Sequence, residues 1–408
     1  MSSKKIAFVF PGVGSQYSGM CESLYSNFKI FKDTIDEASD ILHTDMSDLM
    51  LAENKAKSLS ELTNAQCALV AAGYATFRVF MSELGILPDY CMGHSLGEYS
   101  ALCCAGMISY SDALNLVTTR GKIITEASKK LNGTMVWVVN VQAETVNNLC
   151  AEVRAEGMEV YVSAYDSSTQ TAISGSKEAI EHIAPLLEKL GAIMYPLKLS
   201  GPFHSPLMQE AAAKMQKELE NCTYSEGNFK VVANYNAKPY EGFQQIPDYL
   251  MKQLVNPIHW KQSLDFLIEQ NVIHTVEMGP KSVLKFLIEQ NTNKIVPFSL
   301  NEARNVEELT DKLVVNSDSF ISIIGECLGT VVSSRNYIPD NPNYEQEVVK
   351  PYNTIKSIYD DSSKHEDIQK DTVRQVISST GKILEAKKIP AVVIDQKLDK
   401  ILNGKYLV

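Results

Sequence analysis

The hydrophobic pattern begins with Lys5 to Phe10, a short β-forming run that halts at Pro11. Helical periodicity then fills residues 21 to 85, with a capping signal at Ser58-Leu59-Ser60-Glu61 and a long apolar helix predicted from Asn64 to Leu84. Pro88 interrupts that pattern, and a second apolar run ends at Cys91-Met92. A helix-forming run follows from Glu98 to Met107 and another from Ser109 to Leu131. Strands are predicted at Thr134 to Val141, Glu159 to Ala164, Thr169 to Ser174 and Met194 to Leu199, and helices at Ala143 to Ala155 and Lys177 to Leu190. Farther on, Val231 to Asn234 reads as a strand entering a loop, Thr275 to Met278 as a strand ending in Gly279-Pro280, and Ser282 to Glu289 as a helix.

Two units emerge from this order. A strand that runs into a glycine-rich loop and then a helix is the opening of an α/β fold with a parallel sheet, whose functional groups gather at the carboxyl ends of the strands. The fold class is a hydrolase-like parallel-sheet core built from residues 1–130 and 199–300. Between its halves lies a β-α-β-β-α-β series at 131–198, the ferredoxin-like arrangement. Beyond Leu300 the pattern weakens to helical stretches at Val306 to Leu313 and Phe320 to Val332 and a stripe at Val373, Val376, Ile377, Thr380, Ile383 and Leu384. Residues 301–408 are therefore a mostly helical C-terminal extension, with loops at Tyr337 to Pro342 and Asp360 to Ser363.

Composition narrows the function classes. A chain of 408 residues with 45% hydrophobic and 21% charged residues is an ordinary globular protein with room for several cores. A net charge of -11 without any basic run excludes a nucleic-acid surface. No apolar stretch reaches membrane-spanning length, and Pro11 comes too early for a signal peptide, so the expected location is the cytoplasm. The eight cysteines form no C-x-x-C pair and read as reduced thiols; no metal-ligand set is present.

Chemistry concentrates at four places. Gly93-His94-Ser95-Leu96-Gly97 has the form of a nucleophile elbow, in which a serine on a tight strand-to-helix turn exposes its Oγ beside a helix N-terminus; a serine in an ordinary turn fits the five residues as well. The loop Pro11-Gly12-Val13-Gly14 lacks both the G-x-G-x-x-G order and a P-loop lysine, so it reads as a source of backbone N–H near the nucleophile rather than a phosphate cradle. His204, in the Gly/Pro-bounded Ser200 to Met208, has the right chemistry for a general base, and a structural helix-capping histidine is the other reading. Arg120, on a helix beside the elbow helix, reads on its own as a surface charge.

Taken together these residues resemble a known family. Phe10-Pro11-Gly12-Val13-Gly14-Ser15-Gln16, Gly93 to Glu98, Arg120-Gly121, Phe203-His204-Ser205, and Asn256-Pro257 before Trp260 occur in the order found in malonyl-CoA:acyl carrier protein transacylases, including the free-standing acyltransferases of fatty acid and polyketide synthesis. The resemblance runs from about residue 5 to 300. It implies a malonyltransferase in which Ser95 is acylated and His204 serves as base and acid. It also implies a backbone carbonyl near His259 that orients His204, N–H groups of Leu96 and Val13 as oxyanion hole, and substrate contacts from His94, Arg120 and Phe203. Arg120 then pairs with the malonyl carboxylate, and an acyl group without one leaves that guanidinium unpaired at a cost of about 3–5 kcal/mol. Phe203 crowds an α-methyl group, a preference worth ~1–3 kcal/mol.

The implied substrates are malonyl-CoA and the phosphopantetheine thiol of an acyl carrier protein, with no further cofactor, a polyketide or fatty acid synthase as a possible larger partner, and no nucleic acid or membrane. An acyl hydrolase that clears carrier proteins is the alternative, as is a docking protein that kept the fold without turnover. Two residues depart from the family pattern: Val13 stands where glutamine is usual, and Asp166 about where asparagine is common. A carboxylate at 166 either repels the malonyl carboxylate or engages Arg120. The extension has only a vague counterpart in the resemblance and is read as a segment that packs on the core or docks a synthase.

Overall fold

The structure, a computed structural model, describes residues 5–197, 201–313, 320–338, 341–362 and 368–402. Its organising layer is a five-stranded parallel sheet of β1 (Lys5–Phe10), β2 (Tyr90–Gly93), β7 (Lys230–Val232), β8 (Val272–Met278) and β9 (Val296–Leu300), in the order β7-β2-β1-β8-β9. The first strand is central because its alternation is apolar on both faces. Ile6, Phe8 and Phe10 enter the larger core, while Ala7 and Val9 enter a second core around Trp260. Phe8 meets the edges of Phe77 and Phe80 at centroid distances of 6.1 and 4.7 Å, which seats the long helix Leu62–Glu83 on that face.

A separate antiparallel sheet holds β3 (Gly133–Val139), β4 (Val160–Tyr165), β5 (Gln170–Ser176) and β6 (Ile193–Pro196) in the order β4-β5-β3-β6. With helices Ala143–Ala155 and Lys177–Lys189 it buries its own cluster, including Val138, Val146, Ile173 and Ile183. This is the βαββαβ order expected. The last strand stops at Pro196, and Leu199 lies outside the described residues.

Several local expectations need correction. The long helix begins at Leu62, not Asn64, and Glu61 precedes it without a side-chain cap; Ser58 Oγ instead accepts from Asn64 Nδ2 at 3.3 Å. Strand β9 is not among the expected strands; it is a sheet edge, the position in a sheet where a proline such as Pro297 is tolerated. Asp360 to Ser362 close the helix Lys350–Ser362 instead of forming a loop; Ser363 lies outside the described residues.

The extension packs behind Leu62–Glu83. Its helix Phe320–Ser333 buries Ile323, Ile324, Cys327, Leu328 and Val331 in the larger core, and helices Lys370–Ala386 and Ala391–Leu402 complete the layer. The crossing is close: a Cβ on Gly329 would stand 2.6 Å from the Met81 carbonyl oxygen.

Candidate active site

β1, β2 and β7 lie side by side and end at the same edge, Phe10 paired with Gly93, so the loops that follow them converge. Behind β2 the chain turns so sharply that a Cβ on Gly93 would fall 1.9 Å from the Gly97 carbonyl carbon, and one on Gly97 would fall 2.0 Å from the Phe10 carbonyl oxygen. Only glycine fits at either position. Ser95 sits between them at φ 52°, a left-handed conformation that a non-glycine residue adopts only when its surroundings enforce it. The Ser95 N–H donates to Asn234 Oδ1 at 2.7 Å, and Asn234 Nδ2 donates to the Gly93 carbonyl at 2.6 Å, which pins both ends of the turn to the loop after β7.

His204, also left-handed at φ 56°, stands 2.7 Å from the serine, Nε2 to Oγ. Its Nδ1 lies 2.7 Å from the Gln253 carbonyl oxygen. A carbonyl only accepts, so Nδ1 carries the proton and Nε2 offers its lone pair to the serine. Burial pushes the imidazole down to about 3, opposed by the Gln253 carbonyl and assisted by the charges of Arg120 and His94. His204 is thus a neutral acceptor at physiological pH.

The orienting carbonyl corrects the expectation of His259. That carbonyl already accepts from Ser263 N–H at 2.9 Å and Ser263 Oγ at 2.8 Å within its own helix. Gln253 is free because the donor four residues on would be Pro257, which has no N–H. The signal was present in Asn256-Pro257, read one helix too late.

Arg120 is buried, 3% exposed, and the surface-charge reading fails. Its Nη1 donates to Gln66 Oε1 at 2.7 Å, its guanidinium lies 5.5 Å from the centre of the Tyr99 ring, and its Nε–H finds no acceptor among the described residues. Gln66 Nε2 and the Tyr99 hydroxyl are likewise buried without hydrogen-bond partners among the described residues. Buried orphans of this kind carry a desolvation cost that a bound polar ligand relieves. Burial lowers the Arg120 pKa, with partial compensation from Tyr99 and Glu98.

The remaining predicted residues surround this centre. Leu96 caps the elbow helix Gly97–Cys104, and Val13 follows Gly12, whose Cβ position would fall 2.6 Å from the His94 carbonyl oxygen. Among the described residues neither Leu96 N–H nor Val13 N–H donates to a protein group. Phe203 is partly buried between the two main cores, and its carbonyl accepts from Ser174 Oγ at 2.8 Å, tying the small sheet to the base. His94 Nε2 lies 2.8 Å from Asp166 Oδ1, so that carboxylate engages the histidine beside the nucleophile and not Arg120. His259 is in the shell without a contact to Ser95 or His204; its ring stacks on Tyr165 at 5.6 Å. Asn234, Gln66, Tyr99 and the side chain of Gln253 were not anticipated, since each is a neutral residue whose role depends on where a distant element ends.

A serine within hydrogen-bond reach of a carbonyl-oriented histidine, beside a buried guanidinium whose Nε–H is unpaired among the described residues, defines an enzyme of the serine acyl-transfer class. The acyl transferase domain family matches residues 7–319. The malonyl CoA-acyl carrier protein transacylase of Bacillus subtilis is 30% identical over 390 residues, 94% of this chain and 97% of its own length. That of Salmonella typhimurium is 38% identical over 73% of this chain and 96% of its own. Among solved structures, a malonyl-transacylase in complex with its type II PKS acyl-carrier protein superposes with a TM-score of 0.73 at 35% identity, covering 76% of this chain and 100% of that one. The malonyl CoA-acyl carrier protein transacylase of Coxiella burnetii superposes with a TM-score of 0.73 at 30% identity, covering 76% of this chain and 98% of its own. The chain belongs to the acyl transferase family, in its malonyl CoA-acyl carrier protein transacylase branch. The Bacillus match covers 94% of this chain and so reaches into the C-terminal extension, whereas the Salmonella match covers 73% of it.

Proposed function

We propose that this chain carries malonyl from coenzyme A to the phosphopantetheine thiol of an acyl carrier protein through an ester on Ser95. The 2.7 Å contact of Ser95 Oγ with His204 Nε2, beside the unsatisfied Arg120, is the observation that carries the reading.

The malonyl carboxylate meets Arg120 Nε–H and the neighbouring Tyr99 and Gln66 donors, which turns the thioester carbonyl toward Ser95. His204 takes the Oγ proton as the oxygen adds to that carbonyl. The resulting oxyanion is held by Leu96 N–H and Val13 N–H, each worth about a hundredfold in rate. Collapse breaks the C–S bond, and the coenzyme A sulfur leaves with the proton from His204. In the second half the carrier thiol gives its proton to His204 and attacks the seryl ester, and the proton returns to Ser95. The side chains, one thioester and one thiol suffice, so no further cofactor enters the scheme.

Phe203 favours malonyl over methylmalonyl in this reading. An acyl hydrolase is not favoured, because Arg120 is in place and the relatives are named as transacylases. Cytoplasmic residence belongs to the same reading and agrees with eight free cysteines, seven of them buried. So does a division into a catalytic unit of residues 1–130 and 199–300, a small unit of 131–198 and an extension of 301–408, supported by the separate apolar clusters of the two sheets. Incubation with malonyl-CoA and then holo carrier protein, followed by intact mass, tests the sequence of steps: malonyl must appear on this chain and then move.

A further inference from the structure

Among the described residues no carboxylate hydrogen-bonds His204, yet a fully buried one lies one residue removed from it, bonded to Gln253. Glu98, in the first turn of the elbow helix, is 0% exposed. Its Oε1 accepts from the Tyr240 hydroxyl at 2.6 Å, and its Oε2 from Gln253 Nε2 at 2.7 Å and from Asn234 N–H at 3.2 Å. Asn234 holds the Ser95 N–H and the Gly93 carbonyl. Gln253 holds His204 through its carbonyl, and its Nε2 also donates to the Ser95 carbonyl at 2.9 Å.

We propose that Glu98 is a positioning residue for acyl transfer: its buried carboxylate gathers Asn234, Tyr240 and Gln253 and through them registers Ser95 against His204. The inference rests on the transacylase reading for its substrate, not for its geometry.

The Gln253 amide shows how the lock works. Both hydrogens of its Nε2 point at acceptors, Glu98 Oε2 and the Ser95 carbonyl, while its Oε1 is buried with no partner among the described residues. Reversing the amide would face Oε1 toward two acceptors, so an ionised Glu98 admits one orientation. A protonated Glu98 accepts less well and competes as a donor, which loosens Gln253 and with it the carbonyl that holds His204. Burial raises the Glu98 carboxyl to about 7 despite its three donors and Arg120, so this loosening falls within the working range of pH. The titratable and charged groups facing it are Tyr240 from the loop after β7, and Tyr99 and Arg120 from the elbow helix and its neighbour.

The sign follows from the raised value. Ionised Glu98 is the competent form, so acylation falls as pH drops through about 7. His204, depressed to about 3, contributes no limb there.

The test is single-turnover acylation of Ser95 by malonyl-CoA from pH 5.5 to 8.5, paired with the rate of Ser95 modification by a fluorophosphonate, which reads Ser–His alignment whatever the acyl donor. Wild type shows a limb near pH 7 in both. Glu98→Gln slows both reactions by about tenfold to a hundredfold and removes the limb, the scale expected of a misplaced catalytic pair, with KM for malonyl-CoA held within about twofold. Tyr240→Phe removes one donor, raises the Glu98 pKa and moves the limb to higher pH, and it carries the test should Glu98→Gln not fold. A wild-type limb and rate in Glu98→Gln, or an unmoved limb in Tyr240→Phe, overturns the proposal. Loss of malonyl transfer with the fluorophosphonate limb intact counts against the substrate reading alone and upholds the role of Glu98.

Discussion

At the scale of single residues, the reactive pair was legible and its supports were not. Ser95 lies in a motif whose glycines are explained by contacts of about 2 Å that any Cβ would make. His204 stands out as a histidine bounded by Gly201-Pro202 and Pro206. Arg120 looks on its own like an exposed helix charge, because nothing local announces that Gln66 and Tyr99 will enclose it. Asp166 was noticed as an oddity, and its partner turned out to be His94, a residue of the elbow itself. In the proposed reaction Arg120 carries the selectivity for a carboxylate-bearing acyl group. Arg120→Ala is expected to lower kcat/KM for malonyl-CoA by about two to nearly four orders of magnitude, from the ~3–5 kcal/mol of a broken buried pair, and to leave acetyl-CoA acylation unchanged or faster. Steady-state comparison of the two donors checks it; an equal loss with both removes the carboxylate from the role.

Elements explain the remaining misreadings. Helix ends and strand edges suspend the rules that hold in interiors, and the misplaced orienting carbonyl falls at a helix end. Pro297 is tolerated because β9 is an edge, and Pro257 is what leaves the Gln253 carbonyl free at the end of the helix Ile246–Val255. Pro257→Ala supplies an N–H that competes with His204 Nδ1 for that carbonyl. Acylation is expected to slow by about tenfold, the effect of weakening one orienting bond of roughly 1.4 kcal/mol, while Tm changes little. Stopped-flow acylation beside thermal melting separates this from a general loss of stability.

For the molecule as a whole, the parallel sheet places three loops at one edge, and the small sheet closes over them through Ser174 to Phe203, Asp166 to His94 and the paired Ser163-Ala164-Tyr165 and Ile258. The β-α order announces this much, since each strand carries its own period. The extension was legible only as helices, because its partner surface, the rear of Leu62–Glu83, is set by packing between distant segments. That packing now argues for a structural part. Arg78 Nε donates to the Ser333 carbonyl at 2.5 Å, and buried Lys387 Nζ donates to the carbonyls of Val331 and Ser334 at 2.7 and 2.6 Å, so two basic side chains cap one helix C-terminus. Gly329→Val, pressed into the Met81 carbonyl, is expected to cost about 1–3 kcal/mol, read as a lower urea midpoint with unchanged m. Truncation after Leu300 is expected to yield insoluble protein; a soluble, fully active truncation would show that the extension supports nothing in the catalytic unit.

The central claim is that Ser95, paired with His204, takes malonyl from coenzyme A as an ester. Intact mass after mixing with malonyl-CoA measures it directly. One malonyl adduct on the wild type, absent from Ser95→Ala and discharged by holo carrier protein, is the predicted result. A wild type that stays unmodified, or an adduct that persists in Ser95→Ala, would contradict it.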